Sequence, residues 1–391
     1  MSAARIHRYI AREVAVPTLL GLLVFTFVLL MGRLLKLVEM VVSKGVPAGE
    51  VGRLFLCLLP TFLVLTIPMA FLLGVLLGFG RLSADSEVVA LKACGVSLYG
   101  MLRPVLLLGA AASLATALLT LYAEPAGNAA FRAQLFQIAS SQASSAFQPR
   151  IFNDDFDGLV LYAAGQDERD GSLQGVFISD ERVGSTPAVI LARSGRIVSD
   201  RDALTLTLRL EDGSIHRQPG DGARDSYQLV RFATYDVNLN LGHQLSENQQ
   251  RRKRENELTA DELRRALAET PPGEERSKLA VEWHRRLALP VTPLLFALVG
   301  VPLGVRCQRS GRGGGFAAAL GVFLLYYVLF SVAQTLAVKK GIPVAFAIWA
   351  PTALLLAGGI FLLHLAAQEK PLLPRTAELL RRLVPRLRGR R

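Results

Sequence analysis

The sequence predicts an α-helical membrane protein, with six transmembrane helices arranged three plus three around an inserted all-β domain of jelly-roll type. Three observations carry this. Six long runs are nearly free of charge. The stretch between the third and fourth is polar and rich in short alternating strands. The two kinds of segment also differ in the sign of their charge. Residues 150–247 hold 16 Asp/Glu and 10 Arg, a net of −6, while the remaining chain holds 34 Lys/Arg and 16 Asp/Glu, a net of +18. An acidic, polar middle between basic, apolar ends excludes a single soluble globule, a coiled coil and a disordered tail protein. The overall hydrophobic fraction of 51% decides nothing alone, because soluble domains come close to it.

The runs are Val14–Met31, Leu54–Phe79, Leu98–Tyr122, Leu287–Val305, Phe316–Val338 and Pro343–Ala367. Each is long enough to cross about 30 Å of hydrocarbon at about 1.5 Å per residue. The first exceeds a signal-peptide core and has no small-residue cleavage site after it, so it reads as a retained helix. The expected organisation follows. Spans one to three occupy 1–124, with a short helix at about 81–97. The insert and a helical linker occupy 125–285, spans four to six 286–367, and a basic tail 368–391.

Lys and Arg in short loops set the orientation. Arg5, Arg8 and Arg12 precede span one, Arg81 and Lys92 lie between spans two and three, and Arg306, Arg309 and Arg312 follow span four. The tail adds eight more, from Lys370 to Arg391. With six spans, all four clusters fall on one side, which is cytoplasmic. Both termini are then inside and the insert outside. Lys44, Lys339 and Lys340 run against the trend.

Within the insert, the residues up to about Arg150 are rich in Ala, Ser and Gln and suit a helical extension of span three. Strand signals follow at Leu159–Tyr162, Val176–Ser179, Ala188–Leu191, Leu204–Leu210, Tyr227–Val230 and Val237–Leu241. Leu204, Leu206, Leu208 and Leu210 alternate with polar residues and so share one sheet face. About 100 residues of such strands suggest a sandwich or jelly roll. Thr259-Ala-Asp-Glu262 fits a capping box, and Pro271-Pro-Gly273 stops the helix it opens. A polar helix from Glu274 to Arg286 then leads into span four.

The chemistry that is missing narrows the function. There is no GxxxxGK[ST], no HExxH and no GxSxG. The five histidines are scattered, and Cys57, Cys94 and Cys307 have no metal-ligand spacing. No catalytic residue, cofactor, metal or nucleic-acid partner is expected. Ionisable residues deep in the spans, the mark of an ion or proton relay, are essentially absent from the six runs.

Two constellations remain. Arg33 and Lys36 stand three apart on one face beyond the first span, near the outer head groups. Snorkelling explains cations at a helix end, yet the positive-inside trend argues against them here, which favours an anionic head group. The second is Arg81-Leu-Ser-Ala-Asp-Ser-Glu87, continuing through Lys92 to Ser97. Ser83, Ser86 and Glu87 offer helix-start chemistry and Gly95 a stop, so a short helix should lie along the membrane. Val88, Val89 and Leu91 are its candidates for facing the bilayer or a partner.

Arg8-Tyr-Ile-Ala-Arg-Glu13, Gly80–Glu87, Ala93-Cys-Gly-Val-Ser97, Val301-Pro-Leu-Gly-Val305 and Ser310–Phe316 carry a resemblance. With the three-plus-three layout around a β-rich insert, the whole chain resembles the LptF/LptG (YjgP/YjgQ) family of lipopolysaccharide export permeases. Ala-Cys-Gly in place of Ala-Ser-Gly is more like the LptF branch. The resemblance implies a permease subunit of an ABC transporter in the bacterial inner membrane, with its large domain periplasmic. It implies pairing with a paralogous LptG-type permease over an LptB-type ATPase dimer. Lipopolysaccharide would be extracted from the outer leaflet and passed to an LptC-type bridge protein. Arg33 and Lys36 would then meet lipid A phosphates. Glu87, with Ser86 and Arg81 beside it, would couple to the ATPase. The basic tail has no clear family counterpart.

Two rival readings are weighed. A permease of another ABC system, for lipoprotein export or cell-envelope signalling, usually has four spans with its insert after the first. A membrane-bound lipid-modifying enzyme needs a polar cluster of carboxylate, His or Lys at one interface, and that cluster is missing from the sequence.

Overall fold

The computed structural model describes residues 3–44, 47–146, 150–156, 158–167, 172–182, 188–200, 205–217, 227–239, 254–306, 311–339 and 341–368. Ten α-helices and six strands are found among them. The N-terminal helices are α1 (Ala3–Lys44), α2 (Ala48–Ala84), α3 (Glu87–Ala93), α4 (Leu98–Leu118) and α5 (Glu124–Ala146). After the strands come α6 (Ala260–Glu269), α7 (Glu274–Ala288), α8 (Thr292–Arg306), α9 (Gly311–Lys339) and α10 (Val344–Ala367). A π turn, Leu119–Ala123, joins α4 to α5, and a 3-10 turn, Leu289–Val291, joins α7 to α8. Among the described residues, six helical segments are long and apolar enough to cross a membrane: Ala4–Arg33, Gly49–Ala84, Leu98–Ile138, Glu274–Arg306, Gly315–Lys339 and Val344–Ala367. They follow the expected order, and several reach well beyond the charge-free runs.

The chain forms two compact units. One comprises Met1–Gly45, Phe55–Asn128 and Glu255–Arg391; the other comprises Val46–Leu54 and Ala129–Arg254. The first is helical. Its core includes Val14, Phe71, Leu72, Val75, Leu76, Phe79, Met101, Val105, Phe296 and Val301. Two small-residue stripes let helices close on one another. A methyl group on Gly78 of α2 would lie 2.8 Å from the Glu13 carbonyl of α1, and one on Gly304 of α8 would lie 2.7 Å from Phe79 Cβ. Gly74 and Gly300, four residues before each, extend the same stripes. In a span, where lipid is as apolar as leucine, such close backbone approach supplies the packing that holds helices together. Hydroxyls add to it. Tyr326 of α9 bonds Thr292 of α8 at 3.2 Å and Thr352 of α10 at 3.4 Å, and Thr26 bonds Thr66 between α1 and α2 at 3.1 Å.

The second unit carries a six-stranded antiparallel sheet in chain order: β1 (Asn153–Phe156), β2 (Leu159–Gln166), β3 (Leu173–Asp180), β4 (Ala188–Asp200), β5 (Thr205–Arg217) and β6 (Gln228–Leu239). The expected all-β insert is there, and its connectivity among the described strands is a meander. Each strand pairs with its sequence neighbour, so no Greek-key crossover of the double-sheet kind is needed. One face is apolar: Leu159, Leu161, Ala163, Leu173, Val176, Ile178, Ile190, Leu208, Leu210 and Val237 are all buried. The alternation at Leu208 and Leu210 thus reads as expected. Leu204 and the side chain of Leu206 lie outside the described residues. The buried set changes parity between Leu173 and Val176, with Gly175 at φ +62° taking the turn that L-residues avoid.

An ion pair latches β3 to β6. Arg182 donates to both carboxylate oxygens of Asp180, at 3.0 and 2.9 Å, and to the Asn238 carbonyl at 2.8 Å. Burial alone would raise the Asp180 carboxyl, but the Arg182 hydrogen bonds and charge outweigh it and hold the group below its usual range. A depressed acid stabilises fully above its unfolded value, about 4, and loses that contribution as pH falls through the depressed value. Asp180→Asn is therefore expected to loosen β3 and β6 by about 1–3 kcal/mol at neutral pH, with the difference from the unaltered chain shrinking as pH falls below about 4 and vanishing only below the depressed value. Hydrogen exchange in the intact chain, corrected for intrinsic rates, measures it. Equal protection at neutral pH would show that the latch contributes nothing.

Candidate functional site

Polar groups collect at two levels of the helical unit. The first level is around α3. Ser83 sits in the last turns of α2, not at a helix start, and its hydroxyl donates to the Val305 carbonyl of α8 at 2.6 Å. Ser86 occupies the N-cap position of α3, yet its backbone is left-handed, φ 60°, and its side chain makes no capping bond. The expected serine capping is thus corrected, since the sharp corner after Ala84 turns the Ser86 side chain away from the α3 amides. Gly95 performs the expected stop. At φ +82° it donates to the Lys92 carbonyl, and Val96 donates to that of Leu91, which together close the helix. Val88 is buried in the core and Leu91 packs against it, so of the three apolar candidates only Val89 faces outward.

Glu87 opens α3, and its Oε2 accepts from the Tyr9 hydroxyl of α1 at 2.8 Å. Arg81, two-thirds exposed, donates to Glu13 Oε2 at 3.0 Å and lies 3.7 Å from Asp85. Glu87, Ser86 and Arg81 are therefore gathered on one exposed shelf, tied to the first turns of α1. Arg33 is elsewhere. It lies 20 residues beyond Glu13 on the same unbroken helix, about 30 Å along it, and is exposed. Lys36 follows three residues later on α1, and its side chain lies outside the described residues.

The second level is one that sequence reasoning missed. Glu282 and Arg286 of α7 and Glu124 of α5 are buried, and Arg285 is nearly so. Arg285 donates Nε to Glu282 Oε2 at 2.7 Å and Nη2 to Glu124 Oε1 at 3.0 Å. Arg286, the largest fully buried side chain among the described residues, donates to Glu282 Oε1 at 2.8 Å. It also reaches back to the Leu258 and Glu255 carbonyls at 2.7 and 3.1 Å. Thr120, inside the π turn, bonds the Arg286 carbonyl at 3.4 Å. The extra residue of that turn shifts the phase of the helix before Glu124. Since α8 meets Ser83 at its far end, this cluster stands at the opposite end of the helical unit from α3. The cluster lies just past the charge-free runs, so what is corrected is the expectation that no polar cluster with carboxylates stands at one end of the spans. The charge-free runs stop at Tyr122 and begin at Leu287, whereas the helices containing them extend to these residues without a break. The i, i+3, i+4 spacing of Glu282, Arg285 and Arg286 was the available signal.

A cleft of about 600 Å³ opens beside the cluster, lined in part by Glu124, Glu282, Arg285, Lys278, Thr335 and Lys339. Among the described residues, no group of three or more His, Cys, Asp or Glu is arranged to hold a metal ion.

A sequence profile described as "Lipopolysaccharide export system permease LptF/LptG" matches residues 8–365, through both sets of spans and the insert. The chain belongs to the LptF/LptG family. The lipopolysaccharide export system permease protein LptF of Escherichia coli strain K12 is 24% identical over 331 residues, 83% of this chain and 85% of that protein. The LptF proteins of Escherichia coli O157:H7 and Shigella flexneri match to the same extent. As an LptF/LptG permease the chain is a multi-pass transport subunit of a lipopolysaccharide export system and not an enzyme.

The paired cluster of this LptF/LptG member is stable only as a set. Removing one partner of a buried ion pair leaves an uncompensated charge and costs about 3–5 kcal/mol. Glu282→Ala is therefore expected to lower the melting temperature of the detergent-solubilised chain markedly. Glu274→Ala, which breaks only the exposed ion pair with Lys278, should leave the melting temperature nearly unchanged, because solvent screens an exposed pair. Equal melting of the two variants would show that the cluster holds nothing together.

Proposed function

We propose that this permease extracts lipopolysaccharide from the outer leaflet of a bacterial inner membrane. It does so as the LptF-like half of a heterodimer with a paralogous LptG-type permease, over an LptB-type ATPase dimer. The observation that carries the reading is the family match running from residue 8 to residue 365. In this arrangement both termini and α3 face the cytoplasm. The sheet unit is periplasmic and hands the glycolipid to an LptC-type bridge protein across its apolar face. The basic residues of the N-terminus, the α2–α3 region and the tail support that orientation. Anionic lipid on the cytoplasmic side would attract the tail from Lys370 onward.

The polar groups divide the work. Glu87 starts a short helix between two spans, with Ser86 and Arg81 beside it. A carboxylate there meets a basic groove on the ATPase, so ATP-driven movement reaches α2 and α4 directly. Tyr9 holds that carboxylate in place through the 2.8 Å bond. Arg33 and Lys36 lie one membrane thickness away, where lipid A phosphates are found, and bind them through charge-assisted contacts.

Charge changes test both roles. Arg33→Glu combined with Lys36→Glu should reduce the glycolipid co-purified per transporter by about tenfold or more. Undiminished recovery would leave only a snorkelling role for the pair. Glu87→Ala should weaken ATPase retention, since a desolvated charged contact is worth about 2 kcal/mol, or about thirtyfold in affinity. Tyr9→Phe keeps the carboxylate but frees it, and should weaken retention less than Glu87→Ala does. Full retention by Glu87→Ala would remove Glu87 from the interface.

A further inference from the structure

We propose that the cleft beside Glu124 binds the head group of a phospholipid bearing a primary ammonium and a phosphate, of the phosphoethanolamine type, as a lipid distinct from the exported glycolipid. Three observations point there. First, Glu124 is 96% buried and lines the cleft. Its Oε1 is bonded to Arg285, whereas its Oε2 is buried without a hydrogen-bond partner among the described residues. A buried carboxylate oxygen calls for an N–H or O–H donor, and a primary ammonium supplies three.

Second, the charges around the cleft balance. Three carboxylates, Glu124, Glu255 and Glu282, face three cations, Lys278, Arg285 and Lys339. A purely anionic or purely cationic ligand would meet repulsion from half of them. A zwitterion with its charges a few ångströms apart meets a partner for each, the ammonium inward at Glu124 and the phosphate outward near the lysines.

Third, a track for acyl chains leads to the site. Leu325, Val328, Val332 and Thr335 are exposed on α9 at the spacing that aligns them on one helical face. The stripe runs from the apolar body of the span to Thr335, which lines the cleft, and ends at Lys339. The depth is that of head groups. Lys339 ends its span, Tyr122 is exposed on the π turn, and Trp349 near the start of α10 donates to His284 of α7 at 3.3 Å. Aromatic residues of this kind mark a membrane–water interface. The inference concerns a bound lipid and stands independently of the export reading.

The test is native mass spectrometry of the full chain taken from vesicles containing equal amounts of phosphatidylethanolamine, phosphatidylcholine and phosphatidylglycerol. Phosphatidylethanolamine should be retained at one per chain, about tenfold over phosphatidylcholine, whose quaternary ammonium has no N–H to give. Glu124→Gln should abolish the preference. Thr335→Trp, which fills the cleft mouth and leaves the ion pairs untouched, should do the same and keeps the test valid if the first variant fails to fold. Equal retention of the three lipids, or a preference that survives Thr335→Trp, would overturn the proposal. Soluble phosphoethanolamine should not displace the lipid, because the acyl track contributes to binding. Displacement by it would overturn the lipid in favour of a free small molecule.

Discussion

Arg285 and Arg286 stay buried only because Glu282 and Glu124 are buried with them. Each ion would lose several kcal/mol of hydration on entering an apolar interior, and only close, well-aligned partners offset this. The consequence is geometric. Glu282 must face both arginines, Glu124 must reach across from α5, and the chain at Glu255–Leu258 must present its carbonyls to Arg286. That fixes the phase of α5 against α7. Because α7 runs through a 3-10 turn into α8, it also fixes the entry of the fourth span. The segment that returns the chain from the inserted sheet is held at the same joint.

From there α8 crosses the unit and meets α2, where Gly300 and Gly304 admit Val75 and Phe79 at close range. The Ser83–Val305 bond ties the far ends of the two helices together next to α3. A rigid path of packed helices therefore connects the shelf carrying Glu87 with the buried cluster. Under the proposed docking of an ATPase at α3, a push there would be delivered across the span through these packed helices. The sheet unit contributes differently. Its consecutive strands leave one continuous apolar face, with the Asp180–Arg182 latch at one edge.

Much of this was legible in the residues. Charge-free length alone located six spans, because the bilayer imposes one length on all of them. The capping box at Thr259 and Glu262 formed as written, with both reciprocal hydrogen bonds present. Leu208 and Leu210 obeyed strict alternation. The failures have local causes. Strand β1, Asn153–Phe156, pairs with β2 through its backbone, so its Asp-rich side chains gave no alternation to read. Ser86 looked like a cap, but a tight corner set its backbone left-handed. The Glu124 cluster was hidden because windows that score absence of charge end where charges begin. Pairing across 160 residues of sequence is invisible to such a window. Depth and charge support the proposed lipid contacts of Arg33 and Lys36, and Arg33 is exposed as such a contact requires.

The most direct measurement is affinity purification of the full chain from its native membranes in mild detergent, followed by identification of everything that accompanies it. An export permease should bring with it a separate ATPase carrying a phosphate-binding loop, a second permease of the same family, and bound lipopolysaccharide. Recovery of the chain alone, or with an ATPase but with neither a paralogous permease nor glycolipid, would contradict the account.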